Sequence, residues 1–245
     1  MNIFITGGSR GIGNNLMLTA LGKGHNVAFT YHNPETDLDS LLKKASHLAP
    51  NQKCMGYQLD VKDSEQVNNV TEQVVSDFED IDAVINNAGI NRNNLAFTMS
   101  DEEWDEVLAT NLTGSFYVIR AFLPVFLAKR KGRFICISSI AKNGVAGQAN
   151  YSASKAGLVG LSATIAREYG PRGITSNVVV PGLFDTDMTR EYLSDDLRKF
   201  WIEHCPAGRM GELEELSEVI LFLISDEASF INSQVIPVTG GLDFG

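Results

Sequence analysis

The chain has 245 residues, 44% of them hydrophobic, with 20 Lys+Arg against 30 Asp+Glu, a formal net charge of -10 and a pI near 4.9. An apolar fraction of that size supports a packed core and excludes disorder or a fibrous fold. The acidic balance repels a phosphate backbone, so nucleic acid is not expected as a partner, and small molecules or proteins are.

No run approaches the roughly 18 consecutive apolar residues that cross a bilayer, so no membrane partner is expected. Met1 to Thr6 lack a basic n-region and run into glycines, which reads as a cytoplasmic protein. Cys54, Cys136 and Cys205 are odd in number and far apart, as reduced thiols would be. His25, His32, His47 and His204 show no HxxxH spacing, and no metal site is expected.

In chain order, short β-branched runs predict strands at Asn2 to Thr6, Asn26 to Thr30, Cys54 to Leu59, Ala83 to Asn86, Arg133 to Ser138, Thr175 to Val180 and Val235 to Val238. Helix-length segments separate them. Val67, Val70, Val74, Val75 and Phe78 form one such apolar stripe, with Ser64 near its start. Strands alternating with amphipathic helices predict an α/β fold: a single doubly wound, Rossmann-type domain over residues 1–245, a seven-stranded parallel sheet with helices on both faces. Between Pro181 and Pro206 the alternation lapses into a polar, charged segment before the next helix near Glu212. Lying beyond a strand's carboxyl end, residues 183–206 are expected to form a substrate lid.

Strand one runs into Thr6-Gly7-Gly8-Ser9-Arg10-Gly11-Ile12-Gly13, and a helix follows. Glycines at such a turn let the backbone approach a pyrophosphate, and the helix N-terminus offers free N–H groups to it. The end of strand two reads Thr30-Tyr31-His32-Asn33, with no acid until Glu35. A carboxylate there would accept from the ribose hydroxyl of NAD. Its absence, with Arg10 available to pair with a 2′-phosphate, favours NADP (NADPH). Asn86 and Asn87 close strand four, where amide side chains commonly cap their own backbone.

Tyr151 and Lys155 are four apart on a predicted helix and so share a face. An ammonium beside a phenol stabilises the phenolate and is expected to lower its pKa, preparing it to donate a proton to a carbonyl oxygen. Ser138 and Ser139 end strand five just upstream, and Asn111 lies within a long apolar-striped helix.

The TGxxxGxG loop, Leu59-Asp60-Val61, Asn86-Asn87-Ala88-Gly89, Asn111, Ser138-Ser139, Tyr151 with Lys155, and Pro181-Gly182 occur in an order that resembles the short-chain dehydrogenase/reductase family over essentially the whole chain. The resemblance implies a catalytic set of Ser139, Tyr151, Lys155 and Asn111. Asn111 would bend its helix and hold a water that links Lys155 to solvent. It also implies cofactor contacts from Gly7, Ser9, Arg10, Gly11, Ile12, Gly13, Asp60, Val61, Asn87, Ala88, Gly89, Tyr151, Lys155, Pro181, Gly182 and Thr186. Counted from Gly132-Arg133 the family's serine falls on Ser139, and counted back from Tyr151 on Ser138; a one-residue deletion between Lys142 and Gly147 reconciles the two. Ser139 is therefore preferred as the residue that polarises the carbonyl, with Ser138 as the strand-end cap.

Within the family, Gly147-Gln148-Ala149-Asn150-Tyr151, Arg172-Gly173-Ile174, Gly208-Arg209-Met210 and Val238-Thr239-Gly240-Gly241 look most like 3-oxoacyl-[acyl-carrier-protein] reductases. That implies reduction of a carrier-bound 3-oxoacyl thioester, docking of the acidic carrier on Lys129, Arg130 and Arg172, and a homotetramer. Polyketide-type synthesis, a secondary-alcohol or ketone dehydrogenase, and a non-catalytic NADP sensor stay open. Retention of Tyr151, Lys155 and Asn111 argues against the sensor.

Overall fold

The computed structural model describes residues 1–192 and 194–242. Leu193, inside the expected lid, and residues 243–245, at the end of the expected domain, lie outside the described residues. Seven parallel strands, β1 (Asn2–Ile5), β2 (Asn26–Tyr31), β3 (Cys54–Gln58), β4 (Ala83–Asn86), β5 (Gly132–Ile137), β6 (Ile174–Pro181) and β7 (Val235–Val238), form one sheet in the order β3-β2-β1-β4-β5-β6-β7. The doubly wound α/β class expected from the alternation is the one observed. β6 runs one residue further than expected at each end because Gly132 pairs with Ile174 and Pro181 with Val238.

Alternate residues of each buried strand feed two apolar layers, as a parallel sheet covered on both faces requires. On one face α1 (Gly11–Gly22), α2 (Leu38–Leu48) and α9 (Leu213–Ile224) pack against Ile3, Ile5, Phe29, Ile85 and Ile135. On the other, α3 (Ser64–Phe78), α5 (Gly114–Lys129) and α6 (Ala149–Tyr169) cover Phe4, Val84, Phe134 and Val178. The stripe from Val67 to Phe78 turns inward, and its helix starts because the Asp63 carboxylate accepts from the Glu65 and Gln66 amides.

α4 (Asp101–Leu108) continues through a π-helical turn, Ala109–Thr113, into α5. This continuous helix, Asp101–Lys129, is long and apolar enough by length and mean hydropathy to pass for a membrane span, which a search for unbroken apolar runs does not register. Its apolarity has a partner in the fold: Val118, Ile119, Phe122 and Phe126 are buried, with the Phe122 ring 4.7 Å from Phe4 and Phe126 4.8 Å from Phe134.

The segment after β6 also differs from a plain polar loop. It holds α7 (Asp187–Tyr192) and α8 (Asp195–His204), the latter capped by the Ser194 hydroxyl on the Leu197 amide. Local caps build α8, and its exposed Leu197 and Phe200 give no continuous apolar stripe to announce it. At its base the excursion is pinned by pairing of Phe184 with Gly211 and by Ala207 N donating to Gly240 O at 2.9 Å.

Candidate active site

The chain order reverses between β1 and β4, and the crevice beyond their carboxyl ends is where open α/β sheets bind ligands. Thr6 builds this corner. Its hydroxyl accepts from the Asn87 and Ala88 amides at 3.0 Å each, while Asn87 Nδ2 donates to the Thr6 and Gly7 carbonyls at 2.9 and 3.0 Å. Asn87 therefore does not cap its own backbone, as the turn chemistry alone suggests. It ties the loop after β4 to the glycine loop. Thr30 holds the other side, accepting from the Gly7 amide through its hydroxyl and from the Gly8 amide through its carbonyl.

Gly7 and Gly11 adopt φ of +66 and +55, and a Cβ on Gly13 would collide with the Gly7 carbonyl and Asn87 Nδ2. α1 begins after Arg10 with no side-chain cap and no acid in its first turn, so its leading N–H groups and positive end remain available to an anion. Ser9 is half-buried and Arg10 exposed at this mouth, and Ile12 packs into the layer below. A pyrophosphate fits this cradle in shape and in charge. Gly11 lies close under Thr186, a Cβ on it standing 3.8 Å from the threonine Cβ, and Gly182 packs against Thr239, so both family-like segments after β6 border the same cleft. Val61 is buried against Gly114, whereas Asp60 accepts from the Lys62 amide at 3.0 Å and pairs with its ammonium at 3.7 Å, a turn-capping arrangement.

Ser139, Tyr151, Lys155 and Asn111 converge at the carboxyl end of β5. Lys155, 4% exposed, donates to the Ile137 carbonyl at 2.8 Å, and its Nζ stands 5.5 Å from the centre of the Tyr151 ring. Asn111 is fully buried in the π-turn. Its Oδ1 accepts from the Ile90 amide at 2.9 Å, and its Nδ2 donates to the Ile90 carbonyl at 3.0 Å. Gly89 makes room between the two: a Cβ there would lie 3.2 Å from Asn111 Oδ1 and 3.4 Å from Lys155 Nζ.

The two serines divide their work differently from the expected pattern. Ser138 is buried and donates to the Lys155 carbonyl at 2.9 Å, fastening β5 to α6. Ser139 supplies the cap, accepting from the Ala141 amide at 3.2 Å, and is also the serine whose side chain hydrogen-bonds Tyr151. The strand-end cap thus falls on Ser139 because the chain turns into a short 3-10 helix, Ile140–Asn143, directly after it.

The electrostatics correct a second expectation. Burial pushes the Tyr151 phenol up to about 12, partly offset by Ser139, and pushes the Lys155 ammonium down to about 8. Desolvation penalises both charged forms and outweighs any stabilisation of phenolate by the lysine. The phenol is a held proton donor, and the lysine is a buried cation that gives up its proton more readily than an exposed one.

The basic cluster before β5 is largely neutralised by acids far away in sequence. Lys129 Nζ donates to Asp80 Oδ2 at 2.7 Å, Ile81 O at 2.5 Å and Asp82 Oδ1 at 3.0 Å, so it is not the free docking cation its neighbours in sequence suggest. Lys131 and the buried Arg133 both pair with Asp226. Arg130 and Arg172 remain exposed, and among the described residues the Arg130 guanidinium donates to the Pro171 carbonyl, at 3.3 Å. Among the described residues no group of His, Cys, Asp and Glu could hold a metal ion.

Sequence reasoning missed Thr6, Thr30 and Ser154. Thr6 carried a signal, as the polar residue ending a strand just before the glycines; the other two are placed only by long-range pairing.

A family model described as Enoyl-(Acyl carrier protein) reductase matches residues 7–243. Among curated proteins, the 3-oxoacyl-[acyl-carrier-protein] reductase FabG of Salmonella typhimurium is 42% identical over 239 residues, covering 97% of this chain and 95% of that protein. FabG of Escherichia coli is 41% identical with the same coverage, and that of Staphylococcus epidermidis 40% identical over 97% of each chain. Among solved structures, the crystal structure of levodione reductase superposes with a TM-score of 0.92 at 30% identity, covering 98% of this chain and 96% of that one. The chain belongs to the short-chain dehydrogenase/reductase family and is an oxidoreductase.

Proposed function

We propose that the protein reduces the ketone of a 3-oxoacyl thioester carried on an acyl carrier protein to the 3-hydroxyacyl thioester, with NADPH as reductant, as a step of fatty-acid synthesis. The observation that carries the reading is the convergence of Ser139, Tyr151 and Lys155 at the β5 end, beside a glycine cradle that suits a pyrophosphate. The substrate class comes from the names of the FabG relatives.

When bound, NADPH would supply a hydride for the ketone carbon. Ser139 positions and polarises the ketone oxygen, and Tyr151 gives that oxygen its proton. Lys155 then returns a proton to the tyrosine, its lowered pKa matching that task. Resupply from solvent runs by way of Asn111, across the gap at Gly89. Around this centre, Gly7, Ser9, Gly11, Ile12 and Gly13 would hold the pyrophosphate, Arg10 the 2′-phosphate, and Asp60 and Val61 the adenine. Asn87, Ala88 and Gly89 would line the cofactor's path, and Pro181, Gly182 and Thr186 would orient the nicotinamide. α7 and α8, which follow β6 beside this cleft, cover the acyl group.

Carrier docking is assigned to Arg130 and Arg172, without Lys129. These arginines precede β5 and β6, whereas Ser139 follows β5, so the six-residue strand between them separates the two ends by about 20 Å. A thioester arm must span that distance or serve a neighbouring copy in a homotetramer. Exposed Trp104 and Phe116 along the α4–α5 face suit such an assembly.

A second reading, a ketone dehydrogenase on a free small molecule, draws on the neutralised Lys129 and on the likeness to levodione reductase. Following NADPH absorbance with a carrier-bound 3-oxoacyl thioester, a short thioester analogue and free ketones separates the two. The proposal expects the carrier-bound substrate to have the highest kcat/KM and Tyr151→Phe to lose at least about 10²-fold in kcat. Preference for a free ketone would replace it with the second reading.

A further inference from the structure

Ser154 lies on α6 between Tyr151 and Lys155 and is fully buried. Its hydroxyl donates to the Tyr151 carbonyl at 2.7 Å and accepts from Asn111 Nδ2 at 3.0 Å. A serine inside a helix is usually tolerated by pointing to solvent or bonding its own backbone. Here one hydroxyl does the second and also reaches another helix 43 residues away in sequence.

The consequence lies in the hydrogen-bond capacity of Asn111. A carboxamide has two N–H donors and two acceptor lone pairs. The Ile90 carbonyl takes one N–H and Ser154 the other, while the Ile90 amide takes one lone pair of Oδ1. The remaining lone pair belongs to an oxygen that borders the Gly89 gap, across from Lys155 Nζ. Contacts to Ile90 alone would let the side chain follow that loop. Ser154 fastens it to the helix that bears Tyr151 and Lys155.

We infer that Ser154 is a positioning residue for proton resupply: by clamping the Asn111 carboxamide to the Tyr151 turn of α6, it fixes Asn111 Oδ1 relative to Lys155 Nζ. The inference rests on the proposed reduction, in which Tyr151 must be reprotonated each turnover.

The test compares wild-type enzyme with Ser154→Ala and Ser154→Cys, using a 3-oxoacyl thioester and NADPH in H2O and D2O. Ser154→Ala removes the acceptor, and Ser154→Cys keeps the volume with a weaker hydrogen-bonding group. If proton resupply depends on the clamp, kcat falls about tenfold in the alanine variant and less in the cysteine variant, KM for both substrates stays within about twofold, and the solvent isotope effect on kcat rises; a tenfold loss corresponds to about 1.4 kcal/mol. A purely structural serine would instead give an unchanged kcat and isotope effect, or a loss of activity that tracks a lower melting temperature at wild-type isotope effect. Either result overturns the inference. Should the alanine variant fail to fold, the cysteine variant carries the same comparison. Absence of turnover in the wild type would refute the proposed reduction itself, so the two failures are distinct.

Discussion

Lys155 spends a hydrogen bond on the Ile137 carbonyl, at 2.8 Å, and stands beside the Tyr151 ring, 5.5 Å from its centre. Its burial is costly. Below about pH 8 folded and unfolded chains both hold the proton, and the fold bears the whole penalty of a desolvated ammonium. Between about 8 and the ordinary value of 10.5 the folded chain has released its proton and the unfolded chain has not, so stability rises with pH across that window. The shift corresponds to a penalty on the order of 3 kcal/mol at neutral pH. Lys155→Met is therefore expected to abolish turnover yet raise the melting temperature at pH 7 by a few degrees, after about 1 kcal/mol is lost at the unpartnered Ile137 carbonyl. At pH 10 that gain should shrink. Melting curves of both proteins at the two pH values check it, and a variant less stable than wild type at pH 7 would show that the lysine is not under strain.

The glycine cradle makes a graded prediction. A Cβ at Gly13 meets backbone and the Asn87 amide, neither of which can retreat without breaking the link between the β1 and β4 loops. At Gly11 the nearest atom is 3.8 Å away, and only the positive φ of +55 resists a side chain. Gly13→Ala is expected to abolish NADPH binding or folding. Gly11→Ala should cost only about 1 kcal/mol of stability. Fluorescence titration with NADPH and thermal melts on both variants measure the contrast, and equal effects would contradict the geometry.

How far the sequence reaches can be followed through these same residues. Strands were legible because each is a β-branched run ended by turn residues, and Tyr151 with Lys155 because four-residue spacing is itself a statement about a helical face. Local spacing says nothing about partners far along the chain. Asn87 looks like a self-capping turn residue until Thr6 and Gly7, some 80 positions earlier, are brought against it. Lys129 looks free until the turn carrying Asp80 and Asp82 closes over it, and Ser154 looks like filler until the π-turn delivers Asn111. The pKa of Tyr151 escapes the sequence for a related reason: a neighbouring charge can be read from spacing, but burial needs the whole fold.

Charge reversal tests which cations face outward. Arg130→Glu and Arg172→Glu remove exposed charges and should raise KM for a carrier-bound 3-oxoacyl substrate by about tenfold, leaving a free thioester analogue unchanged and the melting temperature within a degree or two. Lys129→Glu should behave oppositely. It places a third carboxylate against Asp80 and Asp82, so stability falls by about 2 kcal/mol or more. KM should move little among the molecules that stay folded. Steady-state kinetics on the two substrates, with melts alongside, make the comparison. A rise in KM for Lys129→Glu alone would return that residue to the docking surface.

Cofactor choice turns on one loop cation and one missing acid. Arg10 precedes α1 in an extended conformation, φ −151, with its side chain exposed, and no ion pair to it forms among the described residues. β2 ends at Tyr31, and His32 and Asn33 follow where an NAD-type site would place a carboxylate. A guanidinium gains a charge-assisted contact to a 2′-phosphate worth about 1.5–3 kcal/mol, and a glutamate in its place adds repulsion. Arg10→Glu is thus expected to lower kcat/KM for NADPH by roughly 10 to 10² or more, with NADH nearly unaffected because its ribose hydroxyl never needed the cation. Raising ionic strength should weaken NADPH binding to the wild type and spare NADH, as screening requires. Kinetics with both nucleotides at two salt concentrations decide the matter: a preference ratio unmoved by Arg10→Glu would assign the phosphate to another side chain.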